Sequence, residues 1–322
     1  MITTGIVTYY DRPVLKPPVW IWTIPAYFFV GGVAGAAMTM GLAVQLTGGR
    51  RLRRFDERCR WVGAIGGGVG TVLLISDLGR KARFLAMLRV FRPSSPMSVG
   101  SWVLALATPL SAGSALLTMT RGVLRSVGYI SGMGAGILGM PLASYTAVLL
   151  TDSAVPVWLA TRKSLPLLFG ASSAASLASV FELMPLGRRE RAIVHRFGFA
   201  GRLAELAAGA AVERDAGADP QVGLPFRQGV SSVLWKTAKV LTVASLVLTA
   251  IPSKSSARRT AGAICGILGG IALRFAVFQA GKASALDPRA TFAQQQRPQE
   301  VDRPSTNTPP EVTTRELAYS PR

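Results

Sequence analysis

Long apolar stretches separated by short basic runs fill most of the chain. An α-helix rises about 1.5 Å per residue, so about 20 mostly apolar residues cross the hydrocarbon core of a bilayer. Eight stretches approach that length: Trp20–Leu46, Trp61–Leu78, Val99–Met119, Tyr129–Thr151, Leu165–Met184, Phe197–Val212, Val230–Ile251 and Ala261–Ala280. The third and fourth hold no charged residue, whereas the sixth is the shortest and carries Arg202 and Glu205. The pattern predicts an all-α polytopic membrane protein of about eight transmembrane helices. The first apolar run is too long for a secretory signal and has no small-residue cleavage site behind it, so it reads as a membrane helix. Residues 283–322 change character: Pro288, Pro298, Pro304, Pro309, Pro310 and Pro321 stand among polar residues, which predicts a disordered tail. The expected division is residues 1–19 as an extracytoplasmic N-terminal segment, 20–282 as the membrane domain and 283–322 as the tail.

Composition agrees with this reading. Charged residues make up 16% of the chain, against about 25% in soluble domains, and mean hydropathy is +0.36. The net charge of +20 raises nucleic acid as a partner. Its bases, however, lie in short runs between apolar stretches with no aromatic-interleaved basic domain, so they read as membrane loops and nucleic acid is excluded. Loops after odd-numbered helices hold fifteen Lys and Arg, including Arg50, Arg58, Arg60, Arg188, Arg191, Arg258 and Arg259; the other side holds eleven. By the positive-inside rule both termini are expected outside the cytoplasm of a cell-membrane protein.

Two separated cysteines (Cys59, Cys265) and one histidine (His195) leave no disulfide framework, zinc site or iron–sulfur cluster, and exclude a haem held by two histidines. Any redox role then needs a diffusible cofactor or a partner's metal centre. Glycines recur at small-xxx-small spacing (Gly31/Gly35, Gly63/Gly67, Gly66/Gly70, Gly132/Gly136, Gly262/Gly266, Gly266/Gly270), which predicts closely packed helices embedded in membrane lipid.

Ionisable residues at membrane depth are costly and mark functional candidates. Here they are Asp77, Asp152, Glu182, Arg202, Glu205, Lys236, Lys239 and Arg274. Alternating helix direction brings Asp77, Asp152, Lys236, Lys239 and Arg274 into the outer leaflet, with Tyr27 on the same level. Lys236 and Lys239 can also snorkel to the interface. Arg202 and Glu205, three apart on one helix, can neutralise each other or serve a proton route. His195 reads more simply as an interfacial residue.

One block is more specific. Asp77-Leu78-Gly79-Arg80-Lys81-Ala82-Arg83-Phe84, then Pro93-Ser94-Ser95-Pro96-Met97-Ser98-Val99-Gly100-Ser101-Trp102, resembles the DLGRPxRF…SPMSxGSW signature of the NrfD/polysulfide-reductase (PsrC-like) membrane subunit family. Pro17-Pro18-Val19-Trp20-Ile21-Trp22 leading to Tyr27-Phe28-Phe29, and Gly139-Met140-Pro141-Leu142-Ala143-Ser144-Tyr145-Thr146 followed by Val155-Pro156-Val157-Trp158, are similar to the family's first helix and fourth-helix exit. The resemblance is strong over roughly residues 9–160; Lys81 departs from it, where the family often has proline.

The resemblance implies eight helices in two four-helix bundles without haem or iron–sulfur cluster. It implies a quinol-interacting subunit of a multi-subunit oxidoreductase that does not itself act on the terminal substrate. Electrons would pass between menaquinone or ubiquinone and a ferredoxin-like iron–sulfur subunit, with a molybdopterin or multihaem catalytic subunit beyond. Asp77 is then the expected proton acceptor, with Tyr27 and Arg80 beside it. Arg83, Trp102 and Tyr145 complete the headgroup site. Glu205, Glu182 and His195 are candidates for a proton route toward the cytoplasm. Two rival readings are a secondary transporter, against which stand the absence of a clear inverted repeat and a surface location for the signature, and a structural anchor without a quinone site.

Overall fold

The computed structural model describes residues 14–79, 86–250 and 255–296. Eight long helices organise them: α1 (Thr23–Thr47), α2 (Arg53–Asp77), α3 (Pro96–Leu117), α4 (Val123–Thr151), α5 (Ser164–Glu182), α6 (Arg188–Gly217), α7 (Gly229–Ala250) and α8 (Ser256–Leu286). No strand occurs among the described residues. Seven of these helices are long and apolar enough to cross a membrane. The exception is α6, which has the length, at 30 residues, but carries several Arg and Glu. Its interior charges meet partners on neighbouring helices, as described below, which a hydropathy window cannot register.

The helices form two rings of four. In the first, α1 packs on α2, α2 on α3, α3 on α4 and α4 back on α1; in the second, α5 contacts α6, α6 contacts α7, α7 contacts α8 and α8 returns to α5. The bundles join where α1 and α4 meet α5 and where α1 meets α8. Helix α1 is therefore central and buried on several sides.

Lipid is as apolar as leucine, so helices associate by close approach and interhelical hydrogen bonds. Glycine supplies the approach. A Cβ on Gly35 of α1 would lie 2.6 Å from the Gly139 carbonyl oxygen of α4, and one on Gly139 would lie 2.5 Å from that of Gly35. In the second bundle Gly266 and Gly270 face the hydroxyls of Ser179 and Ser176. Serines supply the bonds: Ser173 Oγ donates to the Ala143 carbonyl (3.0 Å) and Ser245 Oγ to that of Gly262 (2.7 Å).

The signature block has a local structural logic. Gly79 terminates α2 with a φ of +64°, a conformation that costs glycine no Cβ clash. Ser95 caps α3 through the Ser98 amide, with Pro96 in the first turn, where its missing N–H leaves no helix bond unmade.

Helix ends differ from the apolar windows. Helix α2 starts at Arg53 and not near Trp61, so Arg58 and Arg60 belong to its first turns instead of a loop; Arg188, Arg191 and Arg196 likewise lie within α6. The boundary expected at residue 282 falls inside α8, and a further helix, Pro288–Gln296, follows it with Ala290 and Thr291 buried. The rest of the tail lies outside the described residues.

Candidate functional site

Asp77 closes α2 beside the start of α1. Its Oδ1 accepts hydrogen bonds from the Thr23 hydroxyl (3.0 Å) and the Ile21 amide (3.4 Å). Tyr27, one turn beyond Thr23, is buried; its ring lies where Cβ atoms on Gly31 of α1 and Gly70 of α2 would touch it at 3.2 and 3.4 Å. Acid and phenol thus share the α1–α2 seam at one rim of the first bundle. Arg80 and Arg83 lie outside the described residues.

Two more aromatic candidates reach the same rim from α3 and α4. The Tyr145 hydroxyl donates to the Pro96 carbonyl at the start of α3, and its ring occupies the space a side chain at Gly100 would need. Its hydroxyl is committed to bracing α3 on α4. Trp102 meets Phe91 edge-on at 6.0 Å between ring centroids, and its buried Nε1–H has no hydrogen-bond partner among the described residues. The second bundle closes on this rim through Lys282, which donates to the Trp20 carbonyl (2.7 Å), and through stacking of Trp20 on Trp158.

The outer-leaflet set read from the sequence divides between the two bundles. Asp152 is exposed at the end of α4 and Lys236 on α7; Lys239 pairs with Glu213 of α6 at 2.8 Å. Arg274 is fully buried inside the second bundle. Its Nη2 donates to the Phe169 carbonyl (2.9 Å) and Ser173 Oγ (3.1 Å), and its guanidinium lies 3.9 Å from the Phe169 ring centroid.

Arg202 does not pair with Glu205. It forms a two-pronged bond with Glu182 of α5 at 3.2 and 2.8 Å, and it also reaches Ser179 and Thr249. Glu205 lies near the Arg274 guanidinium, with Ser172, Arg202 and Thr242 also close. Glu205 Oε1, Ser172 Oγ and Arg274 Nε and Nη1 are all buried without partners among the described residues. A cavity of about 20 Å³ borders Glu205 and Thr242, enough for about one water. At the opposite rim from Asp77, His195 Nε2 contacts the Thr249 carbonyl at 3.0 Å. His195, Thr249, Arg202, Glu182 and Glu205 therefore follow one polar seam through the second bundle.

The sequence reading missed two groups. Arg60 is buried in the first bundle, paired with Asp56 at 2.9 Å and bonded to Gln45, Ser114 and the Gly128 carbonyl. Its signal was the i,i+4 spacing of an acid and a base just ahead of the apolar run. Glu213, which also accepts from the Trp235 indole, extends the α6 stripe of Arg202, Glu205 and Gly209 by one more turn. Among the described residues no group of three or more His, Cys, Asp or Glu could hold a metal ion.

Comparison with known families gives a match to the family described as Polysulphide reductase, NrfD, over residues 13–285. No curated protein matches the chain.

Proposed function

Since this chain belongs to the NrfD polysulphide-reductase family, we propose that it is the quinol-interacting membrane subunit of a multi-subunit oxidoreductase. It passes electrons between the quinone pool, menaquinone or ubiquinone, and a ferredoxin-like iron–sulfur subunit. A molybdopterin or multihaem subunit completes the complex and acts on the terminal substrate. The observation that carries this reading is Asp77 held by Thr23 and Ile21 on the seam that also buries Tyr27.

The residues at the rim suit a small ring with an oxygen at each end. A bound quinol supplies two electrons and two protons. The Asp77 carboxylate, held toward α1 by the Thr23 hydroxyl and the Ile21 amide, accepts the two protons in turn, releasing the first to solvent at the rim before it takes the second. Tyr27 hydrogen-bonds the second oxygen. Trp102 offers a buried indole N–H without a partner among the described residues, and such a donor gains by meeting an acceptor. Tyr145 serves as a wall, because its hydroxyl is engaged by Pro96. Arg80 and Arg83, three and six residues after Asp77 in the sequence, are the basic partners that the family signature supplies. With one histidine and two separated cysteines in 322 residues, the electrons pass to a cluster on the partner.

The polar seam of the second bundle provides the proton route: Glu205, then the Glu182–Arg202 pair, then His195 at the far rim. In this reading the protein lies in the cell membrane with both termini outside.

Binding of a fluorescent quinone analogue to the purified chain tests the proposal. Saturable binding by the wild type, weakened in Tyr27→Phe and Asp77→Asn, supports it. No binding by a folded wild type reduces the chain to a membrane anchor.

A further inference from the structure

A second cavity plays no part in the proposed electron route. It has a volume of about 300 Å³ and lies at the rim opposite Asp77, between the ends of α5 and α7 and the starts of α6 and α8. That volume is at the lower end of the roughly 300–1,000 Å³ range of small-ligand sites. Arg191, Arg258, Arg259 and His195 line it. The carboxylate in its wall, Glu182, is already bonded on both oxygens by Arg202, so it does not neutralise Arg191, whose Nη2 donates to the Leu186 carbonyl (3.3 Å), or Arg259. Helices α6 and α8 both begin here, and helix N-termini favour anions.

The rest of the wall is apolar. Met184, Val194 and Leu248 form it, as expected where a headgroup pocket opens toward acyl chains. Basic pockets between helices at a membrane rim are suited to anionic headgroups. We propose that this cavity binds a phosphate group, carried by an anionic phospholipid whose chains run down the outside of α6 and α7. The guanidinium groups of Arg191 and Arg259 hold the phosphate oxygens, a match that planar N–H forks make well. Bound there, the lipid bridges the first turns of α6 and α8 and steadies the rim at which His195 lies.

The test uses the purified full-length chain in a neutral detergent. Native mass spectrometry and thermal unfolding are recorded with phosphatidylglycerol, with phosphatidylcholine and with inorganic phosphate. Phosphatidylglycerol is expected to give a stoichiometric adduct and a raised Tm. Arg191→Gln/Arg259→Gln should bind it about tenfold more weakly, the loss that accompanies about 1.4 kcal/mol. Arg121→Gln, an exposed arginine elsewhere, should bind as the wild type does. Displacement of the adduct by millimolar inorganic phosphate assigns the same site to a soluble phosphate; no displacement assigns it to the lipid. Equal binding of phosphatidylglycerol and phosphatidylcholine, or equal weakening by Arg121→Gln and the double variant, overturns the proposal.

Discussion

Asp77 in the last turn of α2 accepts a 3.0 Å hydrogen bond from the hydroxyl of Thr23 in the first turn of α1. This bond ties the start of one membrane helix to the end of the next and fixes the direction of the carboxylate. The acid at the head of the family signature thus faces α1 and the Tyr27 side of the bundle.

Tyr27→Phe should separate binding from folding. The ring keeps its packing against Gly31 and Gly70, so Tm should be unchanged. Loss of the hydroxyl should raise KM for quinol about tenfold, the effect of losing about 1.4 kcal/mol. Steady-state kinetics of the assembled complex measures this; an unchanged KM removes Tyr27 from the site.

Gly35→Ala should destabilise the first bundle. The new methyl meets backbone atoms of Gly139 and Ala143 at 2.6 and 2.7 Å, and backbone cannot turn aside as a flexible side chain can. Overpacking of this kind costs about 1–3 kcal/mol. Gly68→Ala, with nothing within 4 Å among the described residues, is the control. Thermal unfolding in detergent should lower Tm for the first and leave the second unchanged.

Most of the architecture was legible because lipid imposes a simple rule on a sequence. Eight apolar windows and their glycine spacing led to the eight helices and their close contacts. The signature residues Gly79, Ser95, Pro96 and Gly100 could be quoted but not explained until the turn after α2, the cap of α3 and the seat of the Tyr145 ring were seen. What stayed hidden was pairing between helices. Spacing suggested Arg202 with Glu205, yet a residue from α5, Glu182, takes the guanidinium. Arg60 passed for a loop charge because hydropathy windows end helices at the first cluster of bases.

Arg202→Met should be severely destabilising, since it leaves the Glu182 carboxylate buried without its partner. Breaking a buried pair on one side costs about 3–5 kcal/mol. Replacing both, as in Glu182→Met/Arg202→Met, should recover much of that loss. Chemical denaturation of the two variants checks the order; equal stability of the single variant and the wild type contradicts it.

Glu205→Gln should slow proton uptake coupled to turnover while leaving electron transfer from quinol to an artificial acceptor unchanged. Its carboxylate lies near the Arg274 guanidinium and lines the water-sized cavity. Proton uptake measured in proteoliposomes at the wild-type rate removes the second-bundle route.

The most direct measurement is quinol oxidation by the assembled complex carrying Asp77→Asn. The amide oxygen can still accept from Thr23 and the Ile21 amide, so folding and subunit assembly should persist while the basic group is lost. Turnover is predicted to fall to background with the partner subunits still bound. Wild-type turnover in that assembled variant would contradict Asp77 as the proton acceptor.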